Sequence, residues 1–174
     1  MKLRPPKELR EQDVVDSSFG DNPDTTKSIS AYLGTIGGTA LVIWISKGQA
    51  IVTLLSTEAE YVSLSDGAKE TTFTAHLLNE IATVELPSII SEDNTGAIFL
   101  SKNKQVGGRT KHIDVRHHFI REKVECGDIR VQYVNTEKNP SDLLSKNVIT
   151  RIHDLHASNI SNGTLDCWTR DQGE

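Results

Sequence analysis

Four acidic residues stand where predicted chain elements begin or end, and they carry the strongest chemical signal in the sequence. Asp16 lies inside an apolar run beside Val14 and Val15. An Asp there is disfavoured unless the strand is an edge or the residue serves a site. Glu60 falls in the first turn of a predicted long helix, Asp93 between a predicted strand and the next helix, and Asp142 at the opening of the last predicted helix. Taken singly, three of them have ordinary explanations. Glu60 complements a helix dipole, and Asp93 and Asp142 are common helix-start residues. Taken together, a strand carboxylate and carboxylates at helix starts can converge at one end of a sheet. Such a cluster repels itself and is relieved by protons or hard cations. Mg²⁺ suits it, because Mg²⁺ takes oxygen ligands and keeps waters for a phosphate substrate. Two such ions about 4 Å apart can activate a water and stabilise a leaving oxygen in phosphodiester cleavage.

The elements that must position these residues are legible from period and punctuation. Strands are predicted over 14–19, 28–36 and 40–45, with Gly37-Gly38 closing a hairpin between the last two. A further β-rich run, 50–55, leads into a helix. That helix has Ser56 or Thr57 as N-cap, a Thr57-Glu58-Ala59-Glu60 capping box, and a stripe of Tyr61, Leu64, Ala68, Ala75, Leu78 and Ala82. It is expected to run to about Ile81, with a break near Gly67 as an option. A strand over 88–92, helices over 95–101 and 112–125, and a strand over 129–134 follow, with Gly127 as a helix stop. Pro140 opens a last helix with Leu144, Val148, Ile152 and Leu155 as its buried stripe. The order β-β-β-α-β-α-α-β-α predicts one mixed sheet covered by helices. Residues 1–11 read as a leader or linker, 12–156 as the domain, and 157–174 as a loose tail in which Trp168 could dock.

Composition sets limits. The chain has 174 residues, 36% hydrophobic, with a net charge of −5. It is not a wholly basic nucleic-acid arm, and it has no run of 18 apolar residues to cross a membrane. Its first residues lack the apolar stretch of a secretory signal, so secretion is not expected. Cys126 and Cys167 lack metal-ligand spacing, and His112, His117 and His118 lack a carboxylate that would complete a zinc set.

Five blocks, read in order, are more specific. They are Lys27-Ser28-Ile29-Ser30-Ala31-Tyr32, Leu55-Ser56-Thr57-Glu58-Ala59-Glu60-Tyr61, Glu92-Asp93-Asn94-Thr95-Gly96-Ala97-Ile98, the run from Arg109 to Glu122, and Pro140-Ser141-Asp142-Leu143-Leu144-Ser145-Lys146. Over residues 13–147 they resemble the ribonuclease H domain at the C-terminal end of copia-type LTR-retrotransposon polyproteins. The resemblance implies an α/β ribonuclease H-like fold, whose five-stranded mixed sheet has three antiparallel strands then two parallel ones, flanked by helices. It implies hydrolysis of the RNA strand of RNA–DNA hybrids with two Mg²⁺ ions, Mn²⁺ substituting, to give 5′-phosphate and 3′-hydroxyl ends. It implies a reverse transcriptase as neighbour in the parent polyprotein. The catalytic and metal-holding quartet carried over is Asp16, Glu60, Asp93 and Asp142, with Glu58 as the neighbour most easily confused with Glu60. By the family mechanism Asp16 bridges both metals. Glu60 and Asp93 hold the one near the leaving oxygen, and Asp142 helps hold the one that activates water.

The chain departs from that pattern. The loop Asn135-Thr136-Glu137-Lys138-Asn139 has no His where many ribonucleases H carry one, which leaves Glu137 as a substitute. Ser18 stands where a second Asp is frequent, and Phe19 is a mild change of aromatic. An alternative is therefore a catalytically idle domain kept as a nucleic-acid-binding or structural module.

From Lys102 to Lys123 seven Lys/Arg face two acids, a local charge of +5. The bland explanation is a solvated helix face. The sharper one is a phosphate-tracking surface, with Lys104, Arg109, Lys111, His112 and Arg116 as its contacts. By the resemblance, Ser56, Thr57, Asn94 and Thr95, which flank the acids, are the candidates for reading the RNA 2′-hydroxyl. A retroelement product is expected in cytoplasmic particles, or in the nucleus.

Overall fold

The computed structural model describes residues 9–103 and 111–164; for 111–115 and 117 it describes the backbone alone. A five-stranded sheet has the order β3-β2-β1-β4-β5. β1 (Glu11–Ser18), β2 (Ile29–Ile36) and β3 (Ala40–Gly48) are antiparallel neighbours. β4 (Ser88–Glu92) and β5 (Ile129–Tyr133) extend the sheet in parallel from β1. The expected three-plus-two mixed sheet is thus observed. Gly37 and Gly38 both have positive φ, +65° and +68°, as a tight hairpin whose twist matches its strands requires.

β1 sits in the middle, and every residue but Gln12 is buried. Its alternation splits the core. Val15 joins Tyr32, Tyr61, Leu64, Ala68, Ile90 and Ile120 on one face, and Val14 joins Leu33 and Val134 on the other. The first face is covered by α1 (Ser56–Asn79), α2 (Thr95–Lys102) and α3 (Lys111–Glu125). The second is covered by α4 (Asp142–Ser145) and α5 (Thr150–Asn162), with Leu144 and Ile160 packed on it.

Five sequence expectations need correction. The run 50–55 forms no strand, because β3 is the sheet edge and nothing pairs beyond it among the described residues. Leu54 and Leu55 are exposed there. Neither Ser56 nor Thr57 caps α1. Leu55 takes the cap position, and the Leu54 N–H donates to the Glu58 carboxylate at 2.8 Å. The single last helix is two, separated by 146–149, and Leu155 of its expected stripe is 50% exposed. The period continued across the break although the backbone did not. The tail expected from 157 begins instead as the end of α5, where Ile160 is anchored on the core and Gly163 stops the helix at φ +63°. At the other end, Leu9 bridges Val84 and Arg10 pairs with Glu85, so ordered contacts begin inside the expected leader. Trp168 lies outside the described residues.

α1 is continuous through Gly67. A Cβ there would meet Val15 Cγ1 at 2.5 Å and the Tyr32 ring at 3.1 Å. The glycine is where the helix backbone approaches the sheet, not where the helix breaks. We expect Gly67→Ala to lower stability by about 1–3 kcal/mol, overpacking outweighing the better helix propensity, as read by denaturant melts.

The same burial traps a carboxylate pair at the start of β1. Glu11 and Asp13 are fully buried, with Ser88 Oγ donating to Glu11 at 3.2 Å and Thr71 Oγ1 to Asp13 at 2.6 Å. Desolvation first, and then Asp13, pushes Glu11 up to about 9; desolvation pushes Asp13 up to about 7. The folded state therefore keeps protons that the unfolded chain loses near its ordinary values of 4.5 and 3.8. Stability is greatest below those values and falls as pH rises towards about 9. Glu11→Gln should flatten that fall and raise the melting temperature at pH 8. An unchanged pH profile would refute the assignment.

Candidate metal centre

Asp16, Glu60 and Asp93 meet at one end of the sheet. Each offers a carboxylate oxygen, and these oxygens lie within 4.8 Å of one another. Asp16 arrives from near the end of β1, Glu60 from the start of the second turn of α1, and Asp93 from the step between β4 and α2. β1 and β4 are parallel neighbours, so both strands deliver their C-terminal ends to the same place. α2 starts there because Asn94 Oδ1 accepts the Ala97 N–H at 3.0 Å. Gly96 lets the two helix starts touch, since a Cβ on it would lie 2.9 Å from Thr57 Cγ2.

Asp142 joins from the other face of the sheet. Buried Asn139 sets its position by donating to the Val15 carbonyl at 2.9 Å and accepting from the Ser141 N–H at 3.2 Å. Lys146, four residues on, donates to Asp16 Oδ1 at 2.9 Å and to Asp142 Oδ1 at 3.1 Å. Ser145 Oγ donates to Asp16 Oδ2. The four carboxylates of the expected quartet are therefore gathered, the fourth through a lysine.

The electrostatics are those of crowded anions. Burial and then Asp142 push Asp16 up to about 7, against the pull of Lys146 and Ser145. Burial, then Asp16 and Asp93, pushes Glu60 up to about 8. Glu60 Oε2 is buried and has no hydrogen-bond partner among the described residues. A buried carboxylate oxygen without a donor, with two further carboxylates beside it, is a set of hard oxygen donors that could hold a metal ion. Glu58 is excluded from it, because its carboxylate is occupied at the Leu54 N–H.

Other residues here were not singled out by sequence reasoning. Glu92 is fully buried, accepts the Asn94 N–H at 2.9 Å, and is raised well above its ordinary range by burial and then Glu60. Its only signal was adjacency to Asp93. Lys146 and Ser145 were visible as i+4 and i+3 neighbours of Asp142, but which group they reach is a tertiary fact. His156 of α5 is buried. Desolvation lowers its pKa, while Asp142 pulls it upward.

The expected substrate contacts divide. Thr95 and Ser56 are exposed beside the acids, Thr57 packs at Gly96, and the Asn94 side-chain oxygen is used as a helix cap. Arg116 turns inward, donating to Asp66 Oδ1 at 3.0 Å on α1. Lys111 and His112 lie on the first turn of α3, described by backbone alone, and Lys104 and Arg109 lie outside the described residues.

Comparison with known proteins fits this geometry. No family model matches the chain. Over 132 residues it is 39% identical to the "Retrovirus-related Pol polyprotein from transposon TNT 1-94" of Nicotiana tabacum, covering 76% of this chain and 10% of that protein. The chain thus spans about a tenth of the polyprotein's length. Ribonuclease H1 from the halophilic archaeon Halobacterium salinarum superposes with a TM-score of 0.54 at 12% identity, covering 78% of this chain and 93% of that one. LC11-RNase H1 in complex with an RNA/DNA hybrid gives 0.55 at 14% identity, over 78% and 93%. Likeness at that identity shows the fold, and the polyprotein match shows the ancestry. The chain is a homologue of one segment of the retrovirus-related Pol polyproteins of plant transposons, and it has the ribonuclease H fold.

Proposed function

We propose that this chain is the ribonuclease H domain of a copia-type retroelement polyprotein, an endonuclease that hydrolyses the RNA strand of RNA–DNA hybrids during reverse transcription. The observation that carries the proposal is the meeting of Asp16, Glu60 and Asp93 within 4.8 Å, with Asp142 tied to Asp16 through Lys146. A structural relative solved with an RNA/DNA hybrid supports the substrate class, and the Pol relative supports a reverse transcriptase as neighbour.

In this reading Asp16 would help hold both Mg²⁺ ions, Glu60 and Asp93 would hold the one that stabilises the leaving oxygen, and Asp142 would help hold the one that activates water. When bound, the ions supply Lewis-acid stabilisation of the leaving oxygen and a lowered water pKa. The protein's own part is preorganisation. The carboxylates are kept close by buried elements, so no side chain has to be drawn in at the moment of reaction. In this reading Thr95 and Ser56, exposed at the rim, would meet the hybrid, and the local charge of +5 from Lys102 to Lys123 supports tracking of its phosphates.

A second reading, an idle module that binds nucleic acid without cutting it, is favoured by one observation: a lysine seated between two of the four carboxylates. Cleavage decides between them. With a labelled hybrid and Mg²⁺ or Mn²⁺, the wild type should cut the RNA strand to 5′-phosphate and 3′-hydroxyl ends, and Asp93→Asn should not. Binding without cleavage by the wild type would select the idle module.

Glu60→Gln separates stability from activity. Removing a buried, repelled carboxylate should raise metal-free stability at pH 7 by roughly 1–3 kcal/mol, while abolishing cleavage and weakening the rise in melting temperature on adding Mg²⁺. A fall in metal-free stability would show that Glu60 is held by favourable contacts.

A further inference from the structure

The acidic site is not uniformly open to cations. On the side of Asp16, Glu60 and Asp93, the nearby Glu60 Oε2 has no donor among the described residues. On the side of Asp16 and Asp142 the anionic oxygens already share an ammonium, at 2.9 and 3.1 Å. Lys146 arrives there from just past the end of α4, by a helix turn that points it back over Asp142. Buried His156 also lies in the field of Asp142, but its pKa is held low by desolvation, so it offers little charge to replace the ammonium.

A lysine so placed does two things. It compensates the buried Asp16 charge, which would otherwise stand unpaired. It also occupies, with one positive charge, the space between two carboxylates that a divalent ion would bridge. The two cations cannot share that space, since like charges at that separation repel strongly. The Lys146 side chain is 36% exposed and its stem is flexible, so the ammonium can leave for solvent without disturbing the core.

We propose that Lys146 is a displaceable internal cation that holds the Asp16–Asp142 position until a divalent ion expels it, so that the two metal positions load in order. The Asp16–Glu60–Asp93 position loads first, and the Asp16–Asp142 position second and more weakly. This inference rests on the two-metal reading above and adds a residue that sets its metal requirement. Lys146 acts on the metal, not on the substrate, and is a positioning residue.

Calorimetric titration of the whole chain with Mn²⁺, and separately Mg²⁺, tests it. The wild type should show two separated binding steps. Lys146→Met, which keeps the stem and loses the charge, should bring the weaker step at least about tenfold tighter. Lys146→Arg, which keeps the charge, should leave it weak. A weaker step that stays unchanged in Lys146→Met would overturn the inference while leaving the first metal position intact. Binding of no metal by either protein would overturn the two-metal reading and this inference with it.

A second measurement needs no variant. Lys146 in the wild type should react slowly with an amine-acylating reagent without metal, and several-fold faster at saturating Mn²⁺. Exposed Lys138 serves as the internal reference in peptide-resolved mass spectrometry. Equal rates with and without Mn²⁺ would mean that the lysine stays in place, and would overturn displacement.

Discussion

Charge buried on the central strand is the constraint around which the rest of this molecule is arranged. β1 has a neighbour on either edge and helices on both faces, so its carboxylates see little water. A lone ion in such surroundings is costly, and the protein answers that cost differently at the two ends of one strand. At the start, Glu11 and Asp13 keep protons and take hydrogen bonds from Ser88 and Thr71. At the end, Asp16 takes a serine hydroxyl and a lysine ammonium and stays close to other anions. At the start of the strand, Glu11 Oε1 and Asp13 Oδ1 have no donor among the described residues, and burial favours their protonated forms. The end of the strand remains open to further cations, because Glu60 and Asp93 bring negative charge that Lys146 offsets only in part.

That excess of negative charge exists only because the covering helices come close. α1 approaches the sheet through Gly67, and the starts of α1 and α2 meet across Gly96 and Thr57. Each close approach removes water from the carboxylates it delivers. On the opposite face, Asn139 ties the segment before α4 to the backbone of β1, which brings Asp142 and Lys146 over Asp16. Small residues and one buried amide thus do the positioning, and the acidic residues supply the chemistry. The site is assembled from both faces at the C-terminal ends of two parallel strands, the place where strand order lets two connections diverge.

Much of this was readable in the chain. The alternation of β1, the glycine pair at 37 and 38 and the long apolar stripe of α1 are local patterns, and local patterns report local structure. Asp16 was conspicuous because an Asp inside an apolar strand conflicts with its neighbours, and such conflicts mark sites. Period misled where it ran on past a break: Leu144 and Val148 kept step with Ile152 and Leu155, yet the backbone leaves the helix between them. β-propensity misled at 50–55, since a strand needs a partner and the sheet had already ended. Gly67 looked like a helix breaker because propensity weighs the helix alone, and the sheet beneath it is a tertiary neighbour.

The sequence by itself determined the order of the five strands and the first three helices, the acidic residues at element ends and the ancestry carried by ordered blocks of residues. These depend on neighbours within a few positions, or on direct comparison of residues. Only the tertiary structure decided which acidic residue of the Glu58–Glu60 pair faces the centre, that Arg116 turns inward to Asp66, and that Lys146 reaches across to Asp16, 130 residues away. The physical reason is the same in each case. A side chain's partner is set by which surfaces the sheet and helices bury together, and burial decides whether a charge is solvated, protonated or paired.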